Sequence, residues 1–382
     1  MPKLSLRTKV LISLTIFVFI FIGLAIFVSQ KIFLTSFSQL ENREAVKSIE
    51  RSKVVFDRQV LNIDNRLTDW AVWDDTYYFV KNKNQDYIDS NLTDESLHNL
   101  GINSMFFVAS TGVIVHEKQI NAQTQSNTSI SKDLKNTLLK SKNISSFTGI
   151  KDKHSGVIRD PSGPVFFASR PILKSDGTGP VGGTLIFTRY FDNEIKSYLE
   201  LVNNNNEIKI LDYNLTTLPG DFIKAKEQLS LGKKYYAFPI SSDKVGSFTL
   251  IYDYNNMPAY ILENELPRAI YNQGFASVLN FLYFIVVLCI SGVSFTLILI
   301  NKFVLSKITK LNKDVSLIKD PNNPKNKLDI NGNDEFANLA FNINKMLEDI
   351  TKSQEDLEKT DEDLRLEKEN LDEKILELEK FQ

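Results

Sequence analysis

Two uncharged apolar runs divide this chain into three parts. VLISLTIFVFIFIGLAIFV covers 10–28 and SVLNFLYFIVVLCISGVSFTLILI covers 277–300. Each is close to the roughly 20 residues that cross a bilayer as a helix, and an uninterrupted helix satisfies every backbone polar group in lipid. The first run has a longer apolar core than a cleaved signal peptide, and no small-x-small cleavage site follows it, so it reads as an uncleaved anchor. From 36 to 80 apolar positions such as Val46, Ile49, Val54, Phe56, Val60 and Ile63 recur between charges, which predicts one long helix continuing out of the first span. A second helix follows in the polar stretch 81–100, capped by Thr93 or Asp94.

The period then changes to that of strands. SMFFVAS, TG and VIVHEK (104–118) read as strand, turn, strand, with Gly112 supplying the turn, and a polar loop follows at 119–133. PVFFASRPIL (164–173) and PVGGTLIFTRYF (180–191) form a second pair around KSDGTG. Further strands are predicted at 207–213, 234–240 and 246–254, with NNNN at 203–206 as a loop. A long helix packed on a mainly antiparallel sheet is an α+β layout.

After the second run, Leu305, Ile308, Leu311 (or Asn312), Val315 and Ile318 repeat at threes and fours, as in an amphipathic helix. The connector PNNPKNKLDINGN carries two prolines that forbid helix. A further helix opens with Asp334 and Glu335 in its first turn, where the helix dipole favours acids. Beyond it Ile343, Ile350, Leu357, Leu364, Leu371 and Leu378 recur every seventh residue. Their companion positions, Met346, Ser353, Thr360, Glu367, Lys374 and Phe381, are mostly polar. This pattern is a one-sided coiled-coil seam giving a marginal parallel dimer, or else a solvated charged helix with an incidental stripe.

Charge adds orientation. Lys3, Arg7 and Lys9 precede the first run, and Lys302, Lys307, Lys310 and Lys313 follow the second, so both ends belong in the cytoplasm and residues 35–275 outside. The localisation expected is the cytoplasmic membrane, multi-pass. A net charge of −2 gives no electrostatic footprint for nucleic acid. A lone cysteine, Cys289, excludes an intrachain disulfide, and His98, His116 and His154 are too scattered for a zinc site. No cofactor is expected.

The densest chemistry is DWAVWDDTYYFV (69–80), which holds both tryptophans. On one helix Trp70, Trp73 and Tyr77, at i, i+3 and i+7, share a face. Asp74 and Asp75 then point about 100° apart and cannot jointly chelate a cation. Trp70, Trp73, Asp74, Asp75 and Tyr77, with Phe107, Arg170 and Arg189 from strands, have the aromatic-plus-polar make-up of a ligand or signal-binding pocket. In the alternative reading the tryptophans pin helix to sheet, and the aspartates pair with Arg170 or Arg189 as structural ion pairs. Arg268, just before the second run, reads as a joint rather than a ligand contact.

DWAVWDDTYYFV resembles the signature of the fourth type of CHASE domain, found in bacterial and archaeal sensor histidine kinases and cyclases. GINSMFFVASTGVIV, VFFASRPILKSDGTGPVGGTLIFTRYFD and IYDYNNMPAYILENELPRAIYNQG follow that family's order, so the likeness covers most of 36–274. It implies an extracytoplasmic PAS- or Cache-like α/β sensor of a small-molecule or physical cue. The arginine-tryptophan-tyrosine pattern of amino-acid-binding Cache domains is not apparent, so no amino acid is named as the ligand. DEFANLAFNINKM (334–346) resembles a HAMP linker, with Ala337 for the usual glycine, Ile343 for the phenylalanine and Lys307 or its neighbour in place of a proline. That resemblance implies a homodimeric parallel four-helix bundle. Its signal-transmission residues would be Leu328 and Ile330 packing the connector, Glu335 bracing or simply capping the second helix, and Ile343, Met346, Ile350 and Leu357 in the seam.

The expected layout is a cytoplasmic start (1–9), a first span (10–33), the sensor (36–274), a second span (277–302), a HAMP linker (303–352) and a coiled coil (353–382). No histidine follows residue 302, nor any glycine-rich ATP lid or GGDEF-type loop. The chain therefore reads as a non-enzymatic transmembrane receptor that dimerises through its HAMP and coiled-coil helices. It would pass its signal to a separate or missing histidine kinase or cyclase. The other class is a membrane-tethered dimeric protein that binds a surface partner without signalling.

Overall fold

The helix expected from 36 to 80 stops at Ala71, and the stop shapes the whole motif. The computed structural model describes residues 6–121, 124, 126–147, 149–318, 327–328 and 332–379. Helix α1 (Leu6–Val28) leads through a π-helical turn, Ser29–Leu34, into α2 (Thr35–Ala71). Along α2 the residues Ala45, Ile49, Ser52, Phe56, Ile63 and Leu67 are all buried at spacings of three, four and seven. That stripe is what an amphipathic helix lays on a core. Phe56 meets Phe166 at 4.7 Å between ring centroids.

Three short helices follow: α3 (Asp74–Asn82), α4 (Gln85–Asn91) and α5 (Asp94–Asn99). The second helix read from the sequence is thus two pieces, and Thr93 caps the latter by accepting from the Ser96 amide. The hairpin β1 (Ser104–Ala109) and β2 (Ile114–Gln119) forms as expected, with Gly112 at φ 83°. Next come α6 (Lys132–Lys140), α7 (Lys142–Ser145), β3 (His154–Asp160), β4 (Gly163–Ile172) and β5 (Gly183–Tyr190). The first sheet has the antiparallel order β2-β1-β5-β4-β3. α2 covers one face, while Leu134, Leu138 and Ile144 of α6 and α7 close the other over Phe106, Phe167 and Ile186.

The remaining strands do not extend this sheet. Helix α8 (Asn193–Val202), β6 (Glu207–Asp212), α9 (Gly220–Ser230), β7 (Tyr235–Pro239), β8 (Lys244–Tyr252) and β9 (Pro258–Pro267) build a second one, ordered β6-β9-β8-β7. The single sheet expected is therefore two, both packed on α2. Two strands were missing from the sequence reading, β3 and β9; in β9 buried Glu263 and Asn264 interrupt the apolar pattern. Arg159 of β3 and Asp212 of β6 join the sheets at 2.5 Å.

These elements, from Gln30 to Val278, form one compact unit; Met1–Ser29 with Leu279–Gln382 form another. The second contains most of α10 (Ala269–Leu299), a π-helical turn (Ile300–Leu305), α11 (Ser306–Ser316) and α12 (Glu335–Glu379). The helical runs Thr8–Ala71 and Ala269–Ser316 each contain a stretch long and apolar enough to cross a membrane, by length and composition. At the start of α12, Asp334 bonds Lys307 and accepts from the Ala337 amide at 3.1 Å. Glu335 is exposed. Leu328 is buried, its backbone held on both sides by the Asn344 side chain at 2.8 and 2.9 Å. Ile330 and Phe381 lie outside the described residues. Ile343 is half-buried, while Met346, Ile350 and Leu357 are exposed on α12.

Candidate functional site

The tryptophan–aspartate motif is a helix-to-helix joint built on the edge of the first sheet. After Ala71 the chain pairs with the end of β4: Leu173 donates to the Ala71 carbonyl at 2.9 Å, and Val72 bridges Leu173 in parallel. Trp73 is extended and caps α3, so Trp70 and Trp73 belong to different elements. They still touch edge to face, with centroids 6.0 Å apart. The expected shared helical face does not exist, because the sheet edge captures the backbone between them.

Asp74 does not reach an arginine. Its backbone amide donates to Ser175 Oγ at 3.0 Å, and its carboxylate accepts from the Ser175 amide at 3.2 Å, fastening α3 to the KSDGTG turn. Asp75 is exposed in the first turn of α3, where the helix dipole favours it. Tyr77 is buried with its hydroxyl accepting from Lys81 at 2.9 Å. Its ring fills the space over Gly182, where a Cβ would come within 2.9 Å. Neighbouring Gly183 admits no Cβ either, because the Val108 carbonyl occupies that place. The GG pair of PVGGTL is thus explained by one tyrosine and one strand.

An aromatic cluster lies behind the motif. Trp70 touches Phe187, Trp73 touches Tyr87, and Phe79 stacks on Tyr87 at 4.4 Å and meets Phe107 edge-on at 5.1 Å. Phe107 is fully buried. The Tyr87 hydroxyl pairs with Thr76 at 2.7 Å in the interior. Burial, with Asp75 adding to it, pushes the Tyr87 phenol up to about 12, so it stays neutral. His116 abuts Phe79 and Phe107, and burial with the Lys118 charge holds its pKa below the usual imidazole value.

The two arginines are committed elsewhere. Arg170 clasps Asp64 of α2 with two bonds of 2.7 and 2.9 Å, and Lys153 adds a third at 3.0 Å. Burial disfavours the Asp64 charge, but these cations outweigh it and hold its carboxyl below the usual carboxylate range. Arg189 pairs with Glu194 at 2.9 Å.

Of the expected pocket residues, Asp75 lines an open cleft. This cleft, about 350 Å³, lies between α3 and α4 and is lined by Tyr78, Phe79, Asn82, Asn84, Asp86, Tyr87, Ser90 and Asn91 as well. Its polar rim and aromatic floor suit a polar molecule with an apolar face. No cluster of three or more histidine, cysteine or acidic groups able to hold a metal occurs among the described residues. Sequence reasoning passed over Tyr87 and Asp64. Each had a signal: Tyr87 is the lone aromatic in KNKNQDYIDSN, and Arg170 is the lone charge in PVFFASRPIL, which a buried strand can hold only with a partner.

Together these features define an α+β domain with a long apolar helix in the chain on either side of it. Residues 55–206 match the CHASE4 domain model, so this segment is a CHASE4 extracellular sensor domain, related to those of histidine kinases. The methanogenesis regulatory histidine kinase FilI of Methanothrix harundinacea is 23% identical over 316 residues, which is 81% of this chain. The chain spans about a third of that relative's length, 34%. Among solved structures, the periplasmic domain of Vibrio cholerae LuxQ overlays with a TM-score of 0.39 at 13% identity, covering 58% of this chain and 99% of that one. The periplasmic sensory domain of the Campylobacter jejuni chemoreceptor Tlp1 gives 0.38 at 11% identity, covering 62% and 98%.

Proposed function

We propose that this chain is the receptor part of a transmembrane signalling protein. An extracytoplasmic cue acts on the CHASE4 domain, and helices α10 to α12 carry the change to a histidine kinase or nucleotide cyclase output module. In this reading the chain is not itself an enzyme. Its cytoplasmic helices act as a HAMP linker and coiled coil in a parallel homodimer, with both termini in the cytoplasm. The cue is a small molecule or physical change felt at the aromatic cluster and the cleft beside Asp75.

The observation that carries this reading is the joint at the base of the sensor. Arg268, one residue before α10, bonds Glu41 of α2 at 3.0 Å, and the Tyr271 amide of α10 donates to the same carboxylate at 3.4 Å. The helix entering the sensor and the helix leaving it are thus locked together there, so a shift of one moves the other. The likeness to a histidine kinase across 81% of this chain agrees with that use. The exposed seam Ile350, Leu357, Leu364 and Leu371 offers a dimer surface at seven-residue spacing.

The test is disulfide trapping in membranes. With Cys289 removed, cysteines at Ile350 or Leu357 should crosslink between copies, and Arg268→Met should change the extent or rate while insertion is kept. Crosslinking that ignores Arg268→Met would leave the tethered interaction protein as the better reading. No crosslinking at either position would refute the parallel coil.

A further inference from the structure

The second sheet contains an acid that nothing in the signalling reading uses. Glu263 lies in the middle of β9, fully buried, between Lys209 of β6 and Phe248 of β8 in the antiparallel register. It shares its side of the sheet with Ile261, two residues back, and that side is closed by Phe222, Ala225 and Leu229 of α9. Neither carboxyl oxygen finds a hydrogen-bond partner among the described residues. An ionised carboxylate left so would cost several kcal/mol, which is why such groups are paired or neutral.

Its surroundings argue against ionisation. Facing it are Asp221 from the first turn of α9, Glu265 from its own strand, and Glu207 and Lys209 from β6. The one cation of that set, Lys209, bonds Glu265, and Lys244 of β8 reaches Glu265 as well, at 2.5 Å. On α9, Lys224 lies over the Phe238 ring and Lys226 over Tyr213, while Glu227 is exposed. Ahead of β7, Lys233 and Lys234 cover Tyr236 and Tyr235. The opposite side of the strand is tied to α2, where Asn264 donates to Ser48 Oγ at 2.6 Å.

We infer that Glu263 is a proton-binding site: its carboxyl holds a proton while α9 is seated on the second sheet, and its ionisation releases α9 from that face. The step breaks one O–H bond and hands the proton to bulk water, with no other reactant. Burial first, then the Asp221 and Glu265 charges, push the carboxyl up to about 8. An unfolded or opened glutamate ionises at its ordinary value, near 4.5. Its folded pKa is raised, so this contribution to stability is fully present below that ordinary value and is lost as pH rises toward about 8. β9 runs from Glu263 to Pro267, next to Arg268 at the joint, which links a change at this strand to α10. That use rests on the receptor reading; the proton site itself does not.

Hydrogen exchange of the full chain in lipid nanodiscs tests it, with rates corrected for base catalysis. In the wild type, the Phe222–Leu229 amides should open about tenfold more often per pH unit between roughly pH 5 and pH 8, then level off. Glu263→Gln, which mimics the protonated acid, should abolish that slope. A flat wild-type profile, or an unchanged slope in Glu263→Gln, overturns the proposal. If that variant fails to fold, infrared spectroscopy of the wild type decides: a protonated-carboxyl band at about pH 6 that fades through about pH 8 supports the site, and its absence refutes it. Coil crosslinking that ignores pH while the exchange slope is present keeps the proton site and removes only its signalling use.

Discussion

Arg268 and Glu41 form an ion pair almost sealed from water, Nε to Oε2 3.0 Å, at the point where α2 and α10 meet. The guanidinium also lies 4.1 Å from the Tyr271 ring centroid. A few residues along, Gly274 leaves room for the Phe37 ring, which a Cβ would strike. The pair fixes the spacing of the two helical arms and costs desolvation to do so, which marks a positional role more than a stabilising one.

Removing one partner strands the other charge in the interior. Arg268→Met or Glu41→Gln should each destabilise the sensor by about 3–5 kcal/mol. The double variant should lose less than the sum, because no lone charge remains. Chemical denaturation of the full chain in detergent, followed by tryptophan fluorescence, reads this directly. Strict additivity would mean the two residues are not coupled.

How much of this was legible beforehand depended on whether local pattern and tertiary pairing agreed. The β1–β2 hairpin and the β4–β5 pair were readable because their alternation and turn glycines pointed the same way. Strand β9 was not, since its buried Glu263 and Asn264 look like surface residues in a sequence. Nor was the end of α2: its periodicity continues through Trp73 and Tyr77, and only the Leu173 edge, a hundred residues later, overrides it. At the site, the aromatic character of the motif was visible but its partners were not. Arg170 meets Asp64 rather than Asp74, because α2 runs over β4 one helical stretch earlier than the motif.

The Gly182–Tyr77 contact gives a packing test. A methyl at residue 182 would sit 2.9 Å from two ring carbons, so Gly182→Ala should cost about 1–3 kcal/mol through overpacking. Tyr77→Leu opens space there and should recover part of that loss when combined with it. A thermal melt in which Gly182→Ala is neutral would show that the ring can move aside.

The Asp64 cluster sets an acid limit. Its folded pKa is depressed by Arg170 and Lys153 against burial, so its stabilising effect is present above the ordinary aspartate value, 3.8, and is lost as pH falls below that. Asp64→Asn should lower the melting temperature at neutral pH and make the protein less sensitive to acid below about pH 4. An Asp64→Asn variant whose melting temperature falls with acid as steeply as the wild type's would assign that sensitivity to other carboxylates.

The Thr76–Tyr87 pair tests whether the aromatic cluster is support or sensor. Tyr87→Phe leaves the buried Thr76 hydroxyl without its 2.7 Å partner and should cost about 1–3 kcal/mol. Adding Thr76→Val removes the orphan and should return most of that, since a matched apolar pair is close to neutral. Tyr87 also lines the cleft beside Asp75, so the restored double variant has an intact core but an altered binding wall. A thermal-shift screen against polar small molecules can then compare it with the wild type. Ligands that stabilise the wild type and not the double variant would place the cue in the cleft. Equal shifts in both would move the binding site away from Tyr87.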